Sequence, residues 1–472
     1  MGGKVKQLSL IALGVCLGVM ISLNFSAVAQ RDPFGPLPVE ELRAFTEVFG
    51  RIKADYVEPV EDKKLITEAI TGMLAGLDPH SAYLDQDAFR ELQVGTQGEF
   101  GGLGIEVGME EGFVKVVSPI DDSPASRAGI KAGDLIVKLD EMSVKGMTLN
   151  DAVKRMRGKP NTPITLTLVR KGEPKPIVVT LTRAVIKIQS VKSTLLEPGY
   201  AYFRVSQFQE HTGETLSAAI QTLFKQNQGQ MRGIVLDLRN DPGGLLNGAV
   251  AVSAAFLPPN ALVTYTEGRT DDAKMRLTAT PENYLRGRVR NDYLAALPPE
   301  IKNVPMVVLV NSGSASASEI VAGALQDHKR AVIMGAQTFG KGSVQTILPL
   351  GNSTAIKLTT ARYYTPNGRS IQAKGIVPDI ALDDGTRSEA NLKLRESDLT
   401  KHLINERVED KGATTAVAPA NLFNFTPAER PKDVPEKDLK PEPGEVIAKS
   451  DYELSQAIAF LKSRSTLRAS TN

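Results

Sequence analysis

The chain has 472 residues, 42% of them hydrophobic, with 56 basic against 54 acidic side chains. That length and apolar fraction suit several packed domains, while the balanced charge, with no basic stripe interleaved with aromatics, argues against a nucleic-acid partner. The single cysteine, Cys16, excludes intramolecular disulfides and cysteine-built metal sites, and four histidines without paired ligand spacing predict no metal.

In chain order, residues 1–29 place Lys4 and Lys6 before an apolar run from Leu8 to Phe25, then Ala27-Val28-Ala29. This is the layout of a signal peptide, with an uncleaved anchor as the alternative because the run approaches the ~20 residues that span a bilayer. Either way the remainder is exported, and cleavage after Ala29 removes Cys16. Residues 39–93 carry helical periodicity, in Leu42, Phe45, Val48, Phe49 and Ile52 and again in Leu65, Ile66, Ala69, Met73 and Leu74. From 95 to 185 the pattern changes to short β-branched runs punctuated by glycine, with one helical stretch from Leu149 to Met156. Between 190 and 385, apolar strands such as Ile234–Leu238 and Met306–Val310 alternate with helical patterns such as Ser318–Leu325, which predicts an α/β core. Prolines crowd 413–450, a linker pattern, and Tyr452, Leu454, Ile458 and Leu461 mark a C-terminal helix at 451–464.

Three motifs carry chemistry. In the β-rich region, Gly102-Leu103-Gly104-Ile105 precedes the strand Ile105-Glu106-Val107, where successive amides form a nest suited to a carboxylate. With Ser123-Pro124-Ala125, Ala128-Gly129-Ile130, Gly133-Asp134-Leu135-Ile136 and the helix near 149–156, the span resembles a PDZ domain of bacterial proteases. Such a domain takes a C-terminal peptide as an added strand.

The second motif is a glycine turn, Arg239-Asn240-Asp241-Pro242-Gly243-Gly244, at the carboxyl end of a strand and opening a helix, where unpaired amides can face a developing negative charge. The third is Ser314-Ala315-Ser316-Ala317-Ser318-Glu319 at another strand-to-helix turn. A serine there presents its hydroxyl beside helix amides, as acyl transfer requires, yet Ser316 with Glu319 is also a capping box. Spacing leaves Ser314, Ser316 and Ser318 open. Downstream, Gly335 to Lys341 matches G-x-x-x-x-G-K, but Gly342 stands where a Mg²⁺-binding hydroxyl is needed and 342–348 continues as a strand, so a phosphate-binding loop is rejected. A lysine between Gly340 and Gly342 instead suits an inward side chain whose burial disfavours ammonium and favours a general base. Gln345 falls on the same face of an extended segment.

Taken together, these motifs resemble the carboxy-terminal processing proteases, tail-specific peptidases of the Ser–Lys type (peptidase family S41), over nearly all of residues 40–385. The resemblance implies that Ser316 is the nucleophile, Lys341 its base and Gln345 the residue that orients the lysine. It also makes Gly244 and Ala317 the oxyanion donors. Asp327 matches a position sometimes given as a third relay member; a continuous helix puts it about 16 Å beyond Ser316, so a charge or capping role near the helix end is expected, and the same distance argues against a triad through His328. Further implications are a crotonase/ClpP-like core, no cofactor, polypeptide substrates with accessible C-termini, and an adaptor or activator. A dimer through the terminal helices and residence in a bacterial periplasm or on the outer face of the inner membrane also follow. A silent PDZ scaffold and a crotonase-type acyl-CoA enzyme are the alternatives; the intact Ser316, Lys341 and Gln345 weigh against the first and the leader against the second.

Overall fold

The computed structural model describes residues 37–120, 123–286, 291–382, 394–405, 425–431, 434, 438 and 445–469. The expected leader at 1–29, with Cys16, and most of the Pro-rich linker lie outside the described residues. Among the described residues no helix is long and apolar enough to cross a membrane.

Helices Val39–Asp55 and Asp62–Ala75 come first. Acidic Glu40 and Glu41 in the first turn and Lys53 in the last complement the macrodipole of the first helix. That helix buries no side chain, and Leu42, Phe45, Val48 and Ile52, spaced to share one face, are all exposed.

After strand Ala82–Leu84 and helix Gln86–Gln97, an antiparallel sheet runs in the order Ile105–Glu110, Phe113–Pro119, Leu135–Leu139, Pro163–Val169, Ile177–Thr182. Alternate residues point inward, among them Val114, Val116, Ile136, Ile164, Leu166 and Leu168, and pack with Ala152 and Met156 of helix Leu149–Met156. Among the described residues, strand Ile105–Glu110 has a sheet partner on one side only, which leaves its other edge open to pairing.

The α/β core is a six-stranded sheet in the order Val191–Glu197, Tyr200–Val205, Gly233–Asp237, Met306–Val310, Val332–Gly335, Ile380–Ala381, parallel after its first pair. Met306–Val310 is apolar at every position, and Gly233–Asp237 is so up to its terminal Asp237, because both faces are covered. Ile234, Leu236, Val308 and Val310 face helices Thr212–Gln226, Leu246–Phe256 and Ala317–Asp327. Val235, Val307 and Leu309 face the other way, onto Leu454, Ala457, Phe460 and Leu461 of helix Tyr452–Ala469. That C-terminal helix therefore commits its apolar face to its own chain.

An ion cluster docks this helix. Arg239 grips Asp451 with both terminal nitrogens, at 2.9 and 2.7 Å, also meets Glu453, and turns back to Asp237 at 2.6 Å. Only 11% of the Arg239 side chain is exposed, so removing Asp451 and Glu453 leaves this buried cation with Asp237 as its remaining acidic partner and part of its charge uncompensated. Asp451→Ala with Glu453→Ala is expected to lower stability by about 2–4 kcal/mol and to accelerate amide exchange across 452–461, measured by hydrogen–deuterium exchange.

A second antiparallel sheet is formed by Ala82–Leu84, Ala355–Tyr364, Leu262–Gly268 and Arg276–Thr278, with Ser343–Pro349 paired to Ala355–Tyr364.

Candidate active site

Two strand-to-helix turns meet at the carboxyl ends of Gly233–Asp237 and Met306–Val310. Ser314 donates to the Leu238 carbonyl at 2.7 Å, Ala315 N to the Asp241 carbonyl at 2.9 Å, and Ser318 to that same carbonyl at 2.9 Å. Ser314 and Ser318 are fully buried with their hydroxyls committed to this stitching. Ser316 is partly exposed and lines a cavity of about 750 Å³.

The backbone at Ser316 is bent into φ 55°, ψ −112°, a region that side chains avoid. Such strain costs about 1–3 kcal/mol and survives only where surroundings over-determine it. Here they do. A side chain on Gly243 would come within 2.8 Å of Ser316 Cβ and Ala317 N, and one on Gly244, at φ 144°, within 2.1 Å of the Phe208 carbonyl. Both turns therefore need glycine where they approach. Asp241, fully buried, accepts from Gly243 N at 2.8 Å through one carboxyl oxygen and leaves the other without a partner. Burial pushes its carboxyl up to about 7. The amides of Gly244 and Ala317 have no acceptor among the described residues and both residues line the cavity.

Glu319 holds the serine turn to the lysine strand. Its buried carboxylate accepts from Ser316 N at 2.8 Å, Lys341 N at 2.9 Å, Gly340 N at 2.7 Å and Thr338 Oγ1 at 2.5 Å. Burial pushes this carboxyl up to about 7 while these donors pull it down.

Lys341 also lines the cavity. Its Nζ donates to Gln345 Oε1 at 2.5 Å, and no hydrogen bond joins it to Ser316 among the described residues. Gln345 is itself oriented, since its amide donates to Ser343 Oγ at 3.0 Å and Thr359 Oγ1 at 3.1 Å. Thr359 donates to Asp78 at 3.1 Å, and Asp78 is fixed by Ser81 and by backbone amides of His80 and Ser81. Burial, then the nearby Lys357 cation, pull the Lys341 ammonium down to about 8. Tyr363 donates to the Lys341 carbonyl and lines the same cavity.

Ser316, Lys341, Gln345, Gly244 and Ala317 thus share one cavity. Asp327 does not line it: it accepts from Asn367 N at 2.8 Å and pairs with Arg369, anchoring the loop after strand Ala355–Tyr364. His328 Nε2 bonds the Leu262 carbonyl at 2.7 Å. Gly102, Leu103 and Gly104 are buried and Ile105 half-buried, outside this cavity. A second cavity of about 750 Å³ opens at Phe100, Gly101, Val153 and Arg157, and Glu91 on helix Gln86–Gln97 lines both cavities. Lys154 pairs with Asp87 of that helix at 2.5 Å. Sequence reasoning took Glu319 only as a cap and passed over Asp78, Thr359, Tyr363 and Lys357; Glu319 alone carried a signal, as the third residue of the capping box.

Comparison with known proteins agrees with this architecture. Peptidase family S41 matches residues 199–382, the PDZ domain 101–181, and the N-terminal domain of the activating protease CtpB 23–88. The carboxy-terminal-processing protease of Bartonella bacilliformis is 46% identical over 84% of this chain and 89% of its own length. The carboxy-terminal processing protease CtpB of Bacillus subtilis is 34% identical over 75% of this chain and 70% of its own. Among solved structures, the photosystem II D1 C-terminal processing protease is 33% identical, covering 72% of this chain and 86% of that one, with a TM-score of 0.39. The chain belongs to the carboxy-terminal processing proteases of peptidase family S41, and is a serine peptidase carrying a PDZ domain.

Proposed function

We propose that Ser316 attacks the peptide carbonyl while Lys341 takes its proton, that the amides of Gly244 and Ala317 hold the oxyanion, and that Gln345 orients the lysine. The carrying observation is a partly exposed serine, strained at a helix start, in one cavity with a buried lysine and two amides without acceptors. The protonated lysine passes its proton to the leaving amine, and water then releases the acyl-enzyme by the same route in reverse. No cofactor enters this sequence.

Substrate capture falls to the PDZ unit, which we place at 95–185 beside a peptidase core at 190–385. A flexible, apolar C-terminus adds to the free edge of Ile105–Glu110 with its carboxylate at Gly102–Ile105. Helix Gln86–Gln97, lining both cavities, suits a gate that an adaptor or activator opens. Parallel strands ending in two amide-bearing turns support a crotonase/ClpP-like core. The exposed stripe Leu42, Phe45, Val48 and Ile52 supports a dimer through the first helix. The leader pattern supports export to the periplasm or the outer face of the inner membrane.

The test uses an unfolded polypeptide with an apolar C-terminus and a copy ending in two aspartates. Acid quenching during cleavage is expected to trap an acyl adduct on the peptide containing Ser316, and the acidic copy is expected to be cut far more slowly. An adduct elsewhere, or equal rates on both, overturns the respective assignment.

A pH profile follows from the base. Neutral amine is the competent form of Lys341 and its ammonium titrates at about 8, so kcat/KM is expected to rise about tenfold per pH unit below that value and level above it. Initial rates on a short peptide across that range measure it.

A further inference from the structure

Lys357 is a second cation in the catalytic cavity, and the mechanism above does not use it. It lies on strand Ala355–Tyr364 opposite Ile347, and Thr359 lies opposite Gln345. Side chains alternate along a strand, so Lys357, Ile347, Gln345 and Thr359 share one face of the sheet. Gln345, Ile347 and Lys357 all line the cavity with Ser316 and Lys341. Gln345 on that face holds Lys341 Nζ directly. Lys357 is half-buried, and among the described residues its ammonium forms no hydrogen bond and no ion pair. A half-buried, unneutralised ammonium is unusual unless its field is used.

We propose that Lys357 lowers the basicity of Lys341: its uncompensated positive charge, on the face that carries Gln345, adds to burial in disfavouring a second ammonium and enlarges the neutral fraction of Lys341 that accepts the Ser316 proton. This rests on the assignment of Lys341 as base. The charges around Lys341 give the arrangement its logic. Glu319 from helix Ala317–Asp327, Glu396 from the 394–405 segment and Asp78 from the turn before Ala82–Leu84 all favour the ammonium, and Lys357 opposes them. Glu91 and Arg286 stand elsewhere on the cavity wall, and Tyr363 beside Lys341 is held neutral by burial. Glu396 is also hydrogen-bonded by His80 at 2.8 Å and by the Gln372 amide at 2.9 Å. Without Lys357 the three carboxyls would act unopposed, and the fraction of Lys341 in the neutral form at pH 7 would shrink further. A cation beside a catalytic lysine is an established way to activate it.

The experiment compares full-length wild type, Lys357→Met and Lys357→Arg. In Lys357→Met the acid limb of kcat/KM is expected to move up by about one pH unit, which is a roughly tenfold loss at pH 7 that shrinks toward pH 10. Lys357→Arg, which keeps the charge, is expected to restore the limb. A readout independent of turnover uses Ser316→Ala: the pH dependence of Lys341 reductive methylation, followed by mass spectrometry, is expected to shift by the same amount when Lys357→Met is added. An unmoved limb and an unmoved methylation curve overturn the proposal. So does a rise in KM alone, which makes Lys357 a substrate contact. Failure of the base assignment looks different, because Lys341→Met would then retain activity whatever Lys357 does.

Discussion

Exchange of Lys341 for methionine is expected to lower kcat/KM by about 10³–10⁴-fold or more, with the fold intact. Methionine keeps the volume and the unbranched shape of the lysine stem while removing the amine that accepts the serine proton. Desolvation already works against the ammonium at this position, so losing the charge relieves burial, and the thermal midpoint is expected to hold or rise. Ser316→Ala is expected to cost as much. The double variant is the sharper test: nucleophile and base act as a unit, so it is expected to be no worse than either single variant. Burst and steady-state rates on one peptide, with thermal melts of all three, measure this. A double variant whose loss is the product of the single losses would mean that the two side chains serve separate steps.

The strands of the core were legible because they are buried on both faces. Met306–Val310 is apolar at every position, and its run ends where the polar turn begins; the run expected at Ile234–Leu238 is observed at Gly233–Asp237, shifted by one residue. The serine turn was legible as a place but not as an identity. Three hydroxyls in alternation look equivalent along the chain, and only the partner turn separates them, since Ser314 and Ser318 bond to Leu238 and Asp241 across the sheet. What stayed hidden is what arrives from far away. Asp78 reaches Gln345 through Thr359, and no local pattern pairs residues so distant in the chain. The C-terminal helix was visible as an amphipathic segment, but its destination depends on Arg239, whose place beside the glycine turn gives no hint of Asp451.

Those long-range ties converge on Glu319. Its carboxylate is bonded to both halves of the site, accepting from the Ser316 amide on one side and from Thr338, Gly340 and Lys341 on the other. Each oxygen receives two donors, so the side chain has acceptor capacity only where acceptors are needed. Glu319→Gln is therefore not a conservative change: its amide nitrogen would confront two donors in place of an oxygen that received them, leaving buried N–H groups unsatisfied. The expected result is a loss of about 3–5 kcal/mol in stability and a fall in kcat of about 100-fold or more, because a displacement near 1 Å between Ser316 and Lys341 suffices for that. KM is expected to change far less, since the PDZ groove and its peptide edge lie elsewhere in the chain. The pH dependence has a definite sign. Burial raises the Glu319 carboxyl to about 7 from an unfolded value near 4.3, so the stability it contributes is complete below that unfolded value and declines as pH rises through 7. Glu319→Gln is expected to remove this decline, so thermal midpoints of wild type and variant are predicted to converge on the alkaline side. A variant that melts like wild type at every pH and loses activity through KM would show that Glu319 merely caps its helix.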